Sequence, residues 1–181
     1  MTTLFQLYRL PAPNWIMGVL ACLAFAGTAC EKSGADPNLA CCAGGYSYAP
    51  GDSALENGQL LPIRLITFPV FTPNGDLRNP LFKADSLWGI TQLNIEVRGA
   101  KNRLIWSTNR IDGAWDGRLN NFPSTEGGYR VRLRFTDAKD RRVDTTTSVC
   151  LIRTGCVNYT CIDRMTALQG FTDPALKPCQ N

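Results

Sequence analysis

The chain has 181 residues, 44% of them hydrophobic, a net charge of +4 and no histidine. That length fits one ordinary domain plus appendages, and the charge is far too mild for a nucleic-acid binder. Lack of imidazole excludes Ser-His-Asp and Cys-His catalysis, imidazole zinc sites and the usual general base near neutral pH, so a non-catalytic protein without a cofactor is expected.

Residues 1–29 read as an address rather than as part of the fold. Arg9 is their only charge, and the apolar run Trp15 to Ala26 follows it. The run falls short of the ~20 residues that span a bilayer core and has the layout of a signal peptide. It ends Ala26-Gly27-Thr28-Ala29-Cys30. Small residues directly before a cysteine resemble the lipobox of bacterial lipoproteins, where the protease needs small side chains and the thiol accepts the acyl group. Gly27 stands where that pattern usually has Leu. The resemblance implies a lipid on Cys30, stable anchoring by several acyl chains and, with Glu31 rather than Asp after the cysteine, an outer-membrane location. Ordinary cleavage after Ala29, leaving Cys30 to a disulfide, is the alternative.

Residues 30–59 are rich in Gly, Pro, Ser, Asp and Asn and show no sustained period; they read as a lipidated tether. The adjacent Cys41 and Cys42 are expected to reach different partners, because a bond between neighbours strains the intervening peptide. From residue 60 the pattern changes. Leu60 to Ile66 predicts a first strand, with Pro62 favouring an edge, and Phe71-Thr72-Pro73-Asn74-Gly75-Asp76 turns the chain. Leu93, Ile95 and Val97 alternate with polar residues; Arg103 to Trp106 is a further strand, with a turn at 99–102. Asp112-Gly113, Asp116-Gly117 and Asn120-Asn121 mark loops. The clearest strand is Tyr129 to Phe135, with Tyr129, Val131, Leu133 and Phe135 on one face and Arg130, Arg132 and Arg134 on the other. A turn at 137–140 and a Thr- and Val-rich return strand to Ile152 complete an all-β domain over 60–153, for which an antiparallel β-sandwich is the economical architecture.

Several of these residues, in order, resemble the gliding motility-associated C-terminal domain, an Ig-like sandwich on proteins handled by the type IX secretion system. The opening Phe71-Thr72-Pro73-Asn74-Gly75-Asp76 matches its first signature. Ile95 to Trp106 sits where that family has a strand, a turn and an apolar strand. Trp115-Asp116-Gly117 matches its Trp-Asp-Gly, Gly128-Tyr129 its strand start, and Leu151-Ile152-Arg153 its closing strand. Leu77 and Pro80 stand where the family has Gly and Asp, so a Ca²⁺-type site would be short of carboxylates and no metal is expected. The resemblance implies an Ig-like fold and a link to gliding motility or type IX secretion. Because 28 residues follow Arg153 and a lipobox precedes the domain, an interaction module is expected rather than a sorting signal, with secreted cargo as the alternative.

The tail, 154–181, is Cys-rich. If Cys30 is acylated, Cys41, Cys42, Cys150, Cys156, Cys161 and Cys179 form an even set of six, which implies disulfides made in an oxidising envelope; 15 pairings stay open. At least one bond between the Cys41-Cys42 pair and the late cysteines is expected. Arg130, Arg132 and Arg134, joined by Arg141 or Arg142, predict a basic stripe able to meet an acidic partner or anionic headgroups, against a solvated outer face as the plain reading. Trp106 and Trp115 read as core, whereas Trp88, in a Ser-Leu-Trp-Gly loop, is a candidate sugar-stacking residue. Together these readings describe an outer-membrane lipoprotein that binds or assembles with a protein partner in an envelope complex. A carbohydrate-binding surface lipoprotein is a further alternative.

Overall fold

In the computed structural model, which describes residues 34–36, 39, 41, 43–154, 156–157 and 177–178, the strands in chain order are β1 (Tyr46–Tyr48), β2 (Ser53–Glu56), β3 (Gln59–Pro62), β4 (Arg64–Thr67), β5 (Val70–Phe71), β6 (Phe82–Trp88), β7 (Ile90–Arg98), β8 (Leu104–Thr108), β9 (Ala114–Trp115), β10 (Arg118–Leu119), β11 (Phe122–Pro123), β12 (Gly127–Asp137), β13 (Arg142–Leu151), β14 (Cys156–Val157) and β15 (Lys177–Pro178). The described residues contain no α-helix, only a tight helical turn at Ala100–Asn102. No described helix is long and apolar enough to cross a membrane.

Two sheets carry the core. One has the order β1-β4-β6-β9 and the other β5-β13-β12-β7-β8. Pairing is antiparallel within them except that β5 runs parallel to β13, with Val70 opposite Cys150 and Phe71 opposite Leu151. The chain thus leaves the first sheet at Thr67 and joins the second at Val70. Pro69 cannot donate to a ladder, but its carbonyl accepts from the Cys150 amide at 2.8 Å, which ties the crossing to the last long strand. Period-2 alternation puts Leu93, Ile95, Val97, Val131, Leu133 and Phe135 on the inner face, where they are buried against Leu65, Phe82 and Ala84 of the facing sheet. Each such side chain contributes about 1.5–3 kcal/mol before chain entropy is subtracted.

This is an all-β sandwich. A parallel edge strand beside the last long strand, and the Tyr129 hydroxyl donating at 2.6 Å to the Thr125 carbonyl just before it, are features of the immunoglobulin-type layout.

The expected division at 59/60 does not describe the described part of the tether. It falls inside the β2–β3 hairpin, in which Ser53 pairs with Pro62 around an Asn57-Gly58 turn with both φ values positive, at 50° and 79°, as a type I′ hairpin requires. Upstream, Tyr46–Tyr48 is a strand of the four-stranded sheet, paired with β4. The rings of Tyr46 and Tyr48 meet Phe135 edge-on, with centroids 6.3 and 5.0 Å apart. Gly44 fits because a Cβ there would stand 1.8 Å from the Ser148 carbonyl oxygen. The predicted first strand is also divided: β3 ends at Pro62, Ile63 turns inward to full burial, and β4 begins a separate ladder. Residues 1–29 with the lipid acceptor Cys30, and Cys42, Cys161 and Cys179, lie outside the described residues.

Candidate functional site

The motif residues, spread over more than eighty positions, converge at one end of the sandwich. Trp115 is fully buried, with its ring 5.2 Å from Phe71 and 5.0 Å from Tyr129, the latter edge-to-face at 75°. Its indole N–H donates to the Arg118 carbonyl at 2.8 Å, so the ring is buried with its one polar atom satisfied. Arg153 closes this end by donating to the carbonyls of Ser124 and Gly117, both at 2.8 Å. Gly117 has φ +78°, and a Cβ there would meet Leu151, Arg153 and Pro73 at 2.7–3.2 Å. Asp116 accepts from the Arg118 amide at 3.0 Å and shapes the same turn. Gly128 is required by a close approach of another kind: a Cβ would stand 2.7 Å from the Leu39 backbone oxygen. Burial pushes the Tyr129 hydroxyl above its ordinary pKa, outweighing its hydrogen bond to Thr125.

The opening turn satisfies its own polar groups. Asn74 donates to Asp76 at 3.0 Å and accepts from the Asp76 amide at 3.1 Å, while Asp76 accepts from the Arg78 amide at 2.8 Å. The Thr72 hydroxyl donates to the Arg78 carbonyl, and Asn79 reaches back to the Val70 carbonyl at 2.8 Å. Gly75 takes φ +91°, and Leu77 is forced to +64° with its side chain 87% exposed. The described residues hold no group of three or more His, Cys, Asp or Glu placed to bind a metal ion.

The outer face of the five-stranded sheet is the other organised surface. Register places Arg130, Arg132, Arg134 and Thr136 of β12 opposite Arg98, Glu96, Asn94 and Gln92 of β7, and opposite Ser148, Thr146, Asp144 and Arg142 of β13. The predicted stripe is therefore a lattice of ion pairs rather than a run of free cations. Arg132 donates to both Asp144 oxygens, at 2.9 and 2.6 Å. Arg134 donates to Asn94 and pairs with Glu96, which also accepts from Arg98 at 2.8 and 3.2 Å. The hydrogen bond from Arg98, opposed by partial burial and aided by Arg134, holds the Glu96 carboxyl below the usual carboxylate range; that from Arg132 does the same for Asp144. Among the described residues Arg142 makes no ion pair. Arg141 turns away to the opposite side of its hairpin.

There Asp137, fully buried, accepts from Tyr48 at 2.9 Å, from the amides of Lys139 and Arg141, and from Arg141 Nε at 2.7 Å. Burial raises its pKa, but these four donors more than offset that and leave it lowered. The same burial and the Asp137 contact raise Tyr48. Arg141 also pairs with Asp52. Sequence reasoning missed this lock, because its members lie 89 positions apart.

Two shallow depressions mark the outer face. One, of about 820 Å³, is walled by Asn109 and Ile111 and floored by Gln92, Asn94, Arg134 and Arg142. A second, of about 340 Å³, lies beyond Asp144 among Arg98, Arg130 and Arg132. Trp88 is separate from both. It ends strand β6 opposite Arg64, not in a loop, and is 38% exposed. On the β2–β3 hairpin Leu55 and Leu60 stand opposite each other and largely exposed, a pair that the expected boundary between tether and first strand divided. The Cys41–Cys150 disulfide ties residue 41 to buried Cys150 of β13. Comparison with protein-family models finds no match, and comparison with curated proteins finds no relative.

Proposed function

We propose that this chain is a non-catalytic lipoprotein of the outer membrane, anchored through Cys30, whose five-stranded face docks a protein partner in a cell-envelope complex linked to gliding motility or type IX secretion. The observation that carries the reading is the outer face itself. Its charged side chains are held in place by ion pairs across strands (Arg132 with Asp144, Arg134 with Glu96) and along β7 (Arg98 with Glu96), beside a depression of about 820 Å³. Side chains already ordered lose less entropy when a partner arrives, and an alternating lattice of charges favours specificity and correct register. The Cys41–Cys150 bond, enclosing 109 residues of chain, suits an oxidising envelope.

Affinity isolation of the full chain from detergent-solubilised membranes, with mass spectrometry of its N-terminus and of co-isolated proteins, tests this. The expected result is acylated Cys30 and one dominant partner that is lost from the Arg142→Glu and Gln92→Lys double variant. An unmodified Cys30, or a partner retained by that variant, overturns the reading. Trimming of the chain after Arg153 would instead point to secreted cargo.

A further inference from the structure

The smaller depression has a chemistry of its own. It is lined by Arg98, Asn102, Arg130, Arg132, Asp144 and Thr146. Arg130 and Arg98 stand directly opposite each other across β12 and β7, and Arg132 is the next outward residue along β12. Like charges directly opposite on neighbouring strands are unfavourable, so this pairing costs stability unless an anion sits between them. Two of the three guanidiniums are fixed by protein acceptors. Arg98 donates to Glu96 and, at 3.1 Å, to the Asn102 carbonyl; Arg132 uses Nε and Nη2 on Asp144. Arg130 is held loosely. Its carboxylate neighbour, Asp36, lies 3.8 Å away, beyond hydrogen-bond reach, and the Arg130 side chain is 47% exposed.

We propose that this depression binds a phosphate group, either free or as the headgroup of a phospholipid. A tetrahedral oxyanion offers acceptors in several directions, which suits donors arriving from three strands and a turn. A carboxylate offers only two oxygens, with their acceptor directions confined near one plane. Arg130 supplies the principal contact, Arg98 the opposing charge, and the Asn102 amide and Thr146 hydroxyl neutral donors. Asp144 is the carboxylate that lines the site, and it is engaged by Arg132; of the carboxylates next to its arginines, Glu96 is engaged by Arg98 and Arg134, and Asp36 forms a long ion pair with Arg130. The inference requires neither the lipid on Cys30 nor the protein partner, so it stands or falls separately from them.

The test titrates the full chain with inorganic phosphate at constant ionic strength and follows backbone amide resonances. Saturable shifts are expected at residues 98, 102, 130, 132 and 146. Arg130→Gln, at a half-exposed position that leaves the fold intact by thermal unfolding, is expected to weaken the affinity about tenfold, equivalent to ~1.4 kcal/mol. Arg64→Gln, exposed on the other sheet, leaves it unchanged. A parallel arm compares sedimentation with phosphatidylethanolamine vesicles and with vesicles that also contain phosphatidylglycerol. Extra binding to the anionic vesicles that Arg130→Gln abolishes assigns the site to a headgroup; saturable phosphate shifts without it assign a free phosphate. Shifts that never saturate, that chloride reproduces, or that persist in Arg130→Gln overturn the proposal, as does equal sedimentation of wild type and variant in the absence of phosphate shifts.

Discussion

The aromatic end of the sandwich and the outer face of its five-stranded sheet are built from opposite materials. At the end, Phe71, Trp115 and Tyr129 exclude water, and Arg153 spends its donors on backbone carbonyls. On the face, three arginines of β7 and β12 meet Glu96, Asp144 and Asn94 near solvent. The first arrangement stabilises through apolar burial, about 25 cal/mol per Å². The second adds little stability, since exposed ion pairs are worth at most about 1 kcal/mol each. The contrast separates the residues that make the domain from those available to recognise something. It also explains why Phe71, Trp115 and Tyr129 offer no binding surface: they are consumed in holding the end of the fold together.

The largest break in this contrast is Trp115→Ala, which removes the ring that Phe71 and Tyr129 pack against. A loss of about 4 kcal/mol is expected in denaturant unfolding, in line with large-to-small aromatic truncation. Next comes Cys41→Ser, which frees a loop that the disulfide closes across most of the domain. About 3 kcal/mol is expected to disappear, and reducing agent should then lower the wild type's midpoint by more than the variant's. Asp137→Asn should cost about 2 kcal/mol at neutral pH, because a buried carboxylate with four donors loses its charge. The pH dependence has a definite sign. Asp137 has a folded pKa below its unfolded value, so its contribution is fully present above roughly pH 4 and is lost as pH falls through the lowered value. Wild type should therefore lose stability more steeply than the variant on acidification.

Two smaller effects sharpen the comparison. Arg132→Gln on the exposed face should change stability by less than about 1 kcal/mol, a value that would be contradicted by a loss comparable to that of Trp115→Ala. Leu77→Gly should be mildly stabilising, by about 0.5 kcal/mol. A non-glycine residue at φ +64° carries a left-handed penalty of ~1–2 kcal/mol, partly offset by the greater freedom of glycine in the unfolded chain. Thermal unfolding of the two variants side by side reads both.

Much of the fold was legible because it depends on short-range pattern. The alternation in β12 and β7 has period 2, so Tyr129 to Phe135 and Leu93 to Val97 declared both their strand character and their buried faces. The Asn-Gly and Asp-Gly pairs marked turns for a similarly local reason. The participation of residues 44–48 was not legible: Tyr46-Ser47-Tyr48 is too short to display a period, and its flanking glycines read as linker until Gly44 is seen pressed against Ser148. The arginine stripe was visible, but its neutralisation was not. Arg132 finds Asp144, and Arg134 finds Glu96, across diagonals that exist only once the register of three strands is set.

Sequence alone determined that Leu93 to Val97 and Tyr129 to Phe135 become strands, which of their faces turn inward and where several of the turns fall, because those properties rest on side-chain period and on the φ/ψ demands of Gly, Asn, Asp and Pro. Tertiary structure alone decided which cysteine closes on Cys41, that Tyr48 and Asp52 would join Asp137 and Arg141, and that Arg98 would face Arg130. Those outcomes require residues many tens of positions apart to arrive within a few ångströms, and only strand pairing and the packing of one sheet on the other bring them there.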